Sequence, residues 1–223
     1  MPRSSALYAL ERLREGNRRF VAGIRGGDPL ADHARRGELL AGQDPFAIVL
    51  GCSDSRVPAE LVFDQGLGDL FVIRVAGNIV ASSQIGSVEF ATERFGTRLA
   101  VVLGHSRCGA VKGACDHVEM GNLTELLSKL QPSVYAERET ADPAHRSSKN
   151  ARFVENVAAI NVRRTVKSSI ERSFIIEQMV ESGAIGVVGA MYDIETGRVE
   201  FYPDVEYIRD DQNPSFSVAE LRH

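Results

Sequence analysis

The sequence has no tryptophan and only three cysteines, Cys52, Cys108 and Cys115. So sparse and odd a count builds no disulfide framework, so the thiols are expected to be reduced and free to serve as ligands, nucleophiles or core filler. Positive charge is not in excess: 26 Lys and Arg against 30 Asp and Glu give a formal net charge of −4, which gives a nucleic-acid partner no electrostatic support. No apolar run approaches the roughly 20 residues needed to span a bilayer, so no membrane partner is expected. The first twenty residues carry charges throughout and no continuous apolar stretch, unlike a secretory signal, and the expected compartment is the cytoplasm. There is no repeat, no low-complexity segment and no linker of domain-separating character. What is present is ordinary globular composition, 43 % apolar and 25 % charged over 223 residues. It reads as one domain over 1–223, with a helical arm at 1–45, an α/β core at 46–202 and a polar tail from 203 to 223.

The pattern along the chain alternates between two periods. Leu7, Leu10, Leu13, Phe20 and Val21 recur at mostly helical spacing, which predicts an amphipathic N-terminal helix ended by Gly23, Gly26 and Gly27. Short apolar runs without alternation at 46–50, 70–75, 99–103 and 184–192 predict strands buried on both faces, as in a parallel sheet. Residues 82–95 and 151–182 fit helices, the second ended by Gly183, and 116–150 is polar and helical or irregular. The alternation of strand and helix implies βαβ units with right-handed crossovers. A turn at 193–197 and alternation at 198–202 predict an antiparallel edge strand. The expected fold is α/β: a central, mostly parallel sheet with flanking helices, an antiparallel edge strand and an N-terminal helical extension.

Two segments share one shape. FAIVLGC ends in Cys52 and LAVVLGH ends in His105, each a buried strand, a glycine and a side chain able to bind a metal. Sites in open α/β sheets form beyond the carboxyl ends of the strands, so neighbouring strands present these two side chains together. Cys108 follows three residues later, where the next helix is expected to begin and to favour thiolate. Two thiolates and an imidazole suit zinc, and three protein ligands with an open fourth position is the catalytic arrangement. Asp54 is the one carboxylate on the Cys52 loop, able to fill that position or to hydrogen-bond whatever does; Arg56 can hold it bidentately. A lone cysteine after a strand is usually core filler, and H-x-x-C alone is a weak signal. Two strand-end ligands with Asp and Arg on one loop favour a metal site. Cys115 lies about two helical turns beyond Cys108, roughly 10 Å away, and reads as packing. His33, His117, His145 and His223 sit in polar contexts and read as surface residues. Phosphate-loop and dinucleotide fingerprints both fail, the first because Ala110 and Val111 follow Gly109 where Lys and Ser or Thr are required.

Cys52-Ser-Asp-Ser-Arg56 with Gly104-His-Ser-Arg-Cys-Gly109 resembles the paired signature of β-carbonic anhydrases, and the segment from Gly68 to Asn78 resembles that family's connecting segment. The match is densest between about Gly51 and Val111. The resemblance implies zinc bound by Cys52, His105 and Cys108, an Asp54–Arg56 pair, and reversible hydration of carbon dioxide to bicarbonate and a proton by hydroxide generated at the zinc. It further implies that Asp54 can itself ligate zinc in a closed, inactive form, that Gln65 binds substrate, and that the chain assembles as a homodimer or tetramer. Two other readings stay open: hydrolysis of carbonyl sulfide or carbon disulfide on the same fold, and a non-catalytic protein with a structural zinc.

Overall fold

The computed structural model describes residues 5–24 and 33–209, without the side chains of 33 and 34. The readings of Gly26, Gly27, the His33 side chain, His223 and the tail beyond 209 lie outside the described residues. In chain order the elements are α1 Ala6–Val21, α2 His33–Glu38, β1 Ala47–Gly51, α3 Ala59–Val62, β2 Leu70–Arg74, α4 Ser82–Phe95, β3 Leu99–His105, α5 Gly109–Cys115, α6 Gly121–Ser128, α7 Gln131–Ala136, α8 Ala151–Glu171, α9 Phe174–Glu181, β4 Gly186–Tyr192 and β5 Val199–Tyr207.

One sheet runs in the order β2-β1-β3-β4-β5. The first four strands are parallel, and β5 pairs antiparallel with β4. β1 and β3 are buried along their whole length, which is why both read as unbroken apolar runs. On one face Ile48, Leu50, Ala100 and Val102 pack under α4, α8 and α9 through Val88, Val162, Val166 and Ile176. On the other, Val49, Val101 and Leu103 meet α1 and α3 through Leu10, Leu13 and Val62. Leu10 and Leu13 are fully buried, each contributing about 2 kcal/mol by the area it removes from water. The Ser5 side chain accepts from the Tyr8 N–H at 3.1 Å and caps α1. No helix among the described residues is long and apolar enough to cross a membrane.

The structure departs from the sequence reading in two places. The helical stretch at 151–182 is two helices, because Ser173 is extended and its hydroxyl caps α9 by accepting from the Ile176 N–H at 3.1 Å. The polar tail begins later than 203: β5 continues to Tyr207, pairing Tyr207 with Val187. A register shift at Val188/Gly189 lets Tyr202 and Val205 both bury although they are three apart. Pro203 is tolerated because β5 is an edge strand whose outer side needs no N–H donor.

Candidate metal centre

The carboxyl ends of β1 and β3 lie side by side, Gly51 being in register with Leu103. Cys52 is the first residue after β1 and His105 the last of β3. The chain then reverses through Arg107, whose φ of 58° is left-handed, so that Cys108 at the start of α5 returns to the same point. Glu155 of α8 holds that turn by accepting from the Arg107 N–H at 2.9 Å. Gly104 permits the close approach of α8 behind the strand end, since a Cβ there would stand 2.5 Å from Val162 Cγ2.

The outcome is a cluster of three buried donors, Cys52, His105 and Cys108, whose ligand atoms all lie within 4.8 Å of one another. The two sulfurs are 4.0 Å apart. Sulfurs each about 2.3 Å from a shared tetrahedral centre stand about 3.8 Å apart, so the spacing suits one cation. The imidazole is oriented by its other nitrogen: Nδ1 is 2.9 Å from the Ser106 carbonyl, to which it donates as the Nδ1–H tautomer, leaving the Nε2 lone pair toward the sulfurs. His105 Nε2 is buried and has no hydrogen-bond partner among the described residues. An unsatisfied buried acceptor beside two thiols fits a thiophilic divalent cation.

The environment favours thiolate at Cys52 and opposes it at Cys108, where the sequence reading expects the helix start to favour it. The Cys108 thiol foremost, with His105 and the Gly77 N–H at 3.3 Å, holds Cys52 well below the ordinary thiol range despite its burial. The same pairing, with burial, pushes Cys108 up, while the N–H groups of Val111 and Ala110 pull the other way. A bound cation would let both sulfurs ionise.

Asp54 stands at the mouth, its Oδ2 4.0 Å from His105 Nε2. Both its oxygens are engaged by Arg56, through Nε at 2.9 Å, Nη2 at 2.7 Å and the backbone N–H at 3.0 Å. That fork holds the Asp54 carboxyl far below the usual carboxylate range, so it is an ionised acceptor at any working pH. Asp54 therefore lies beside the three-donor cluster, turned toward Arg56. Gln65 is buried and donates from Nε2 to the Phe63 carbonyl at 2.7 Å; it packs against Gly16 of α1 and makes no recorded bond to the cluster. Cys115 packs with Leu127, Leu130 and Phe153, and burial pushes its thiol up to about 12.

Two contributors escaped sequence reasoning. Arg74 ends β2 at the same end of the sheet and donates to the Cys52 carbonyl at 2.9 Å and the Asp54 carbonyl at 2.6 Å, fixing the loop that joins ligand to carboxylate. A cation closing an otherwise apolar strand in register with Gly51 was the available signal. Gly77, with φ 74°, has room for no side chain, since a Cβ would meet Leu130 Cδ1 at 2.9 Å, and it turns its N–H toward Cys52 Sγ.

An open, mostly parallel α/β sheet carrying a Cys–His–Cys cluster and an adjoining Asp–Arg pair at its strand ends defines a class of metal-dependent enzyme. The carbonic anhydrase family model matches residues 47–199, and the chain belongs to the β-carbonic anhydrase family. It is 38 % identical to carbonic anhydrase 2 of Mycobacterium tuberculosis over 89 % of this chain and 93 % of that one. It is 37 % identical to a carbonic anhydrase of Mycolicibacterium smegmatis over 90 % and 95 %. Among solved structures, the β-carbonic anhydrase CcaA superposes with a TM-score of 0.70 at 27 % identity, covering 88 % of this chain and 96 % of that one. A tetrameric β-carbonic anhydrase of Sordaria macrospora gives 0.67 at 27 % identity, covering 75 % and 85 %.

Proposed function

We propose that the chain interconverts carbon dioxide with bicarbonate and a proton, using zinc held by Cys52, His105 and Cys108. The observation that carries this reading is the division between three converging donors and a carboxylate kept beside them by its own arginine. A structural zinc takes four protein ligands, whereas only three donors converge among the described residues. Bound with its fourth position open, zinc supplies hydroxide near neutral pH by lowering the pKa of water.

The chain's own groups do the remaining work. Ser106 fixes the His105 tautomer, and the Gly77 N–H donates to Cys52 Sγ and steadies it. Asp54, kept ionised by Arg56, accepts a hydrogen bond from the nucleophile and so aims the nucleophile's free lone pair at the carbon of the substrate. Because Asp54 only accepts, it also disfavours anions that have no proton to donate. If Asp54 leaves Arg56 it can take the fourth position itself, a closed form that belongs to low pH, where hydroxide is scarce. Two thiolates donate more charge than two imidazoles, so activity rises at higher pH than in a three-histidine site. For Gln65 the resemblance supplies the substrate-binding role. The reading extends to one domain over 1–223, a cytoplasmic location and a homodimer or tetramer, the last supported by the tetrameric Sordaria relative.

Stopped-flow hydration with metal analysis across pH tests the proposal. One zinc per chain and turnover that rises with pH are expected, with carbonyl sulfide assayed in parallel. A zinc-loaded protein that fails to hydrate carbon dioxide at any pH overturns it.

A further inference from the structure

A polar cavity of about 220 Å³ lies between the 79–80 segment, the start of α7 and α8. Its floor is polar and buried: Ser133 is 1 %, Asn161 3 % and Thr165 4 % exposed. Its rim carries three exposed cations, Lys129, Arg164 and Arg172, and no carboxylate among the described residues lines it. Lys129 pairs sideways with Glu125 at 3.5 Å, and Arg172 donates to the Val80 carbonyl at 3.1 Å. Arg164 makes no recorded hydrogen bond or ion pair among the described residues. Three positive charges thus line one cavity with no carboxylate among its described lining residues, a field that draws anions into the space.

We propose that this cavity binds a phosphate group, as inorganic phosphate or the end of a phosphomonoester. Several cations around one space favour a multiply charged oxyanion, and a guanidinium fork matches two phosphate oxygens at once. The Ser168 hydroxyl, also in the lining, adds a donor between the arginines. The volume is several times the roughly 30 Å³ share of one water, which leaves room for a tetrahedral ion with its hydration. The cavity is separate from the metal centre, with the backbone of one residue, Gly77, between them. Asn161 Nδ2 donates to the Gly77 carbonyl at 2.9 Å, and the N–H of the same Gly77 donates to Cys52 Sγ at 3.3 Å. The site goes beyond the hydratase reading and stands without it, because its test reads binding.

The test is calorimetric titration of the zinc-loaded protein with inorganic phosphate and, separately, glycerol 3-phosphate, at constant ionic strength. Wild type should bind at least one of them saturably, one per chain, and the tighter of the two names the source. Arg164 supports no recorded contact, so Arg164→Gln should keep its melting temperature and weaken binding about tenfold. Arg164→Glu and Ser168→Glu, each placing a carboxylate at the rim, should weaken it at least about a hundredfold. Hydration in phosphate-free buffer should be unchanged by Arg164→Gln. Unsaturable binding of both probes by wild type overturns the proposal. So does equal binding by wild type and all three variants, which assigns the anion to the metal centre instead.

Discussion

Two buried polar clusters flank the α5–α8 layer and treat their polar atoms in opposite ways. In one, Glu137 is almost wholly enclosed, and every oxygen has a donor: Arg146 at 2.7 Å, the Thr140 N–H at 3.0 Å, its hydroxyl at 3.2 Å and Asn156 at 3.1 Å. Arg146 in turn reaches the carbonyls of Val134, Glu137 and Thr140 and covers the Phe153 ring. In the other, His105 Nε2 has no hydrogen-bond partner among the described residues and the two sulfurs stand 4.0 Å apart beside it. A closed network orders the chain around it, whereas donors left over and aimed at one point are arranged for something that binds. Burial alone does not separate the two; satisfaction does.

Changes to the unsatisfied cluster should destroy function. Cys108→Ser is expected to lose most of its zinc and to drop hydration by about 10³-fold or more, read by metal analysis and stopped flow. Chelation of the wild type should reproduce that loss and added zinc should reverse it. Asp54→Ala comes next: zinc content stays near one per chain while kcat falls on the order of 10²-fold. Full activity in that variant would show that the carboxylate at the mouth is idle.

The satisfied cluster should answer in stability alone. Glu137→Gln leaves Arg146 without its counter-charge and should cost about 2 kcal/mol, roughly 6 °C in melting temperature for a chain of this size, with turnover per zinc unchanged. Burial raises the Glu137 pKa, but Asn156, Thr140 and Arg146 outweigh it and hold the carboxyl below its ordinary 4.5. A depressed carboxyl stabilises the fold above its unfolded value and loses that contribution as pH falls through the folded one. The melting curves of wild type and Glu137→Gln should therefore differ at neutral pH and converge as pH falls through the depressed folded pKa of Glu137. The smallest effect is expected from Cys115→Ala, about 1 kcal/mol with zinc content unchanged. Loss of zinc there would erase the distinction between Cys108 and Cys115, two buried thiols at the two ends of one short helix.

The extent to which the sequence was legible follows the range of the forces involved. Hydrophobic period is local, so the unbroken runs of β1 and β3, the amphipathic α1 and the alternation of strand and helix could all be read directly. The break at Ser173 could not, because a serine within an apolar helical pattern looks like a surface position until its hydroxyl is seen capping α9. Nor could the continuation of β5 past Pro203, which depends on an irregularity in β5 itself, where residues 203–205 fall between the pairs Val188–Glu206 and Gly189–Tyr202. At the site, Cys52, His105 and Cys108 were legible because parallel strands deliver their ends to one place. Arg74 and Gly77 were missed, since their importance rests on contacts with a loop twenty or more residues away.

By itself the sequence determined the strand ends, the residue types placed on them, and hence the three-donor cluster and the family. Only the tertiary structure decided that the expected Asp54–Arg56 pair lies beside the donors, that Gln65 packs on α1, and that Lys129, Arg164 and Arg172 ring one cavity. The reason is physical: periodicity and strand order are settled by near neighbours along the chain, whereas the pairing of charges is settled by which backbones are brought within about 3 Å of each other.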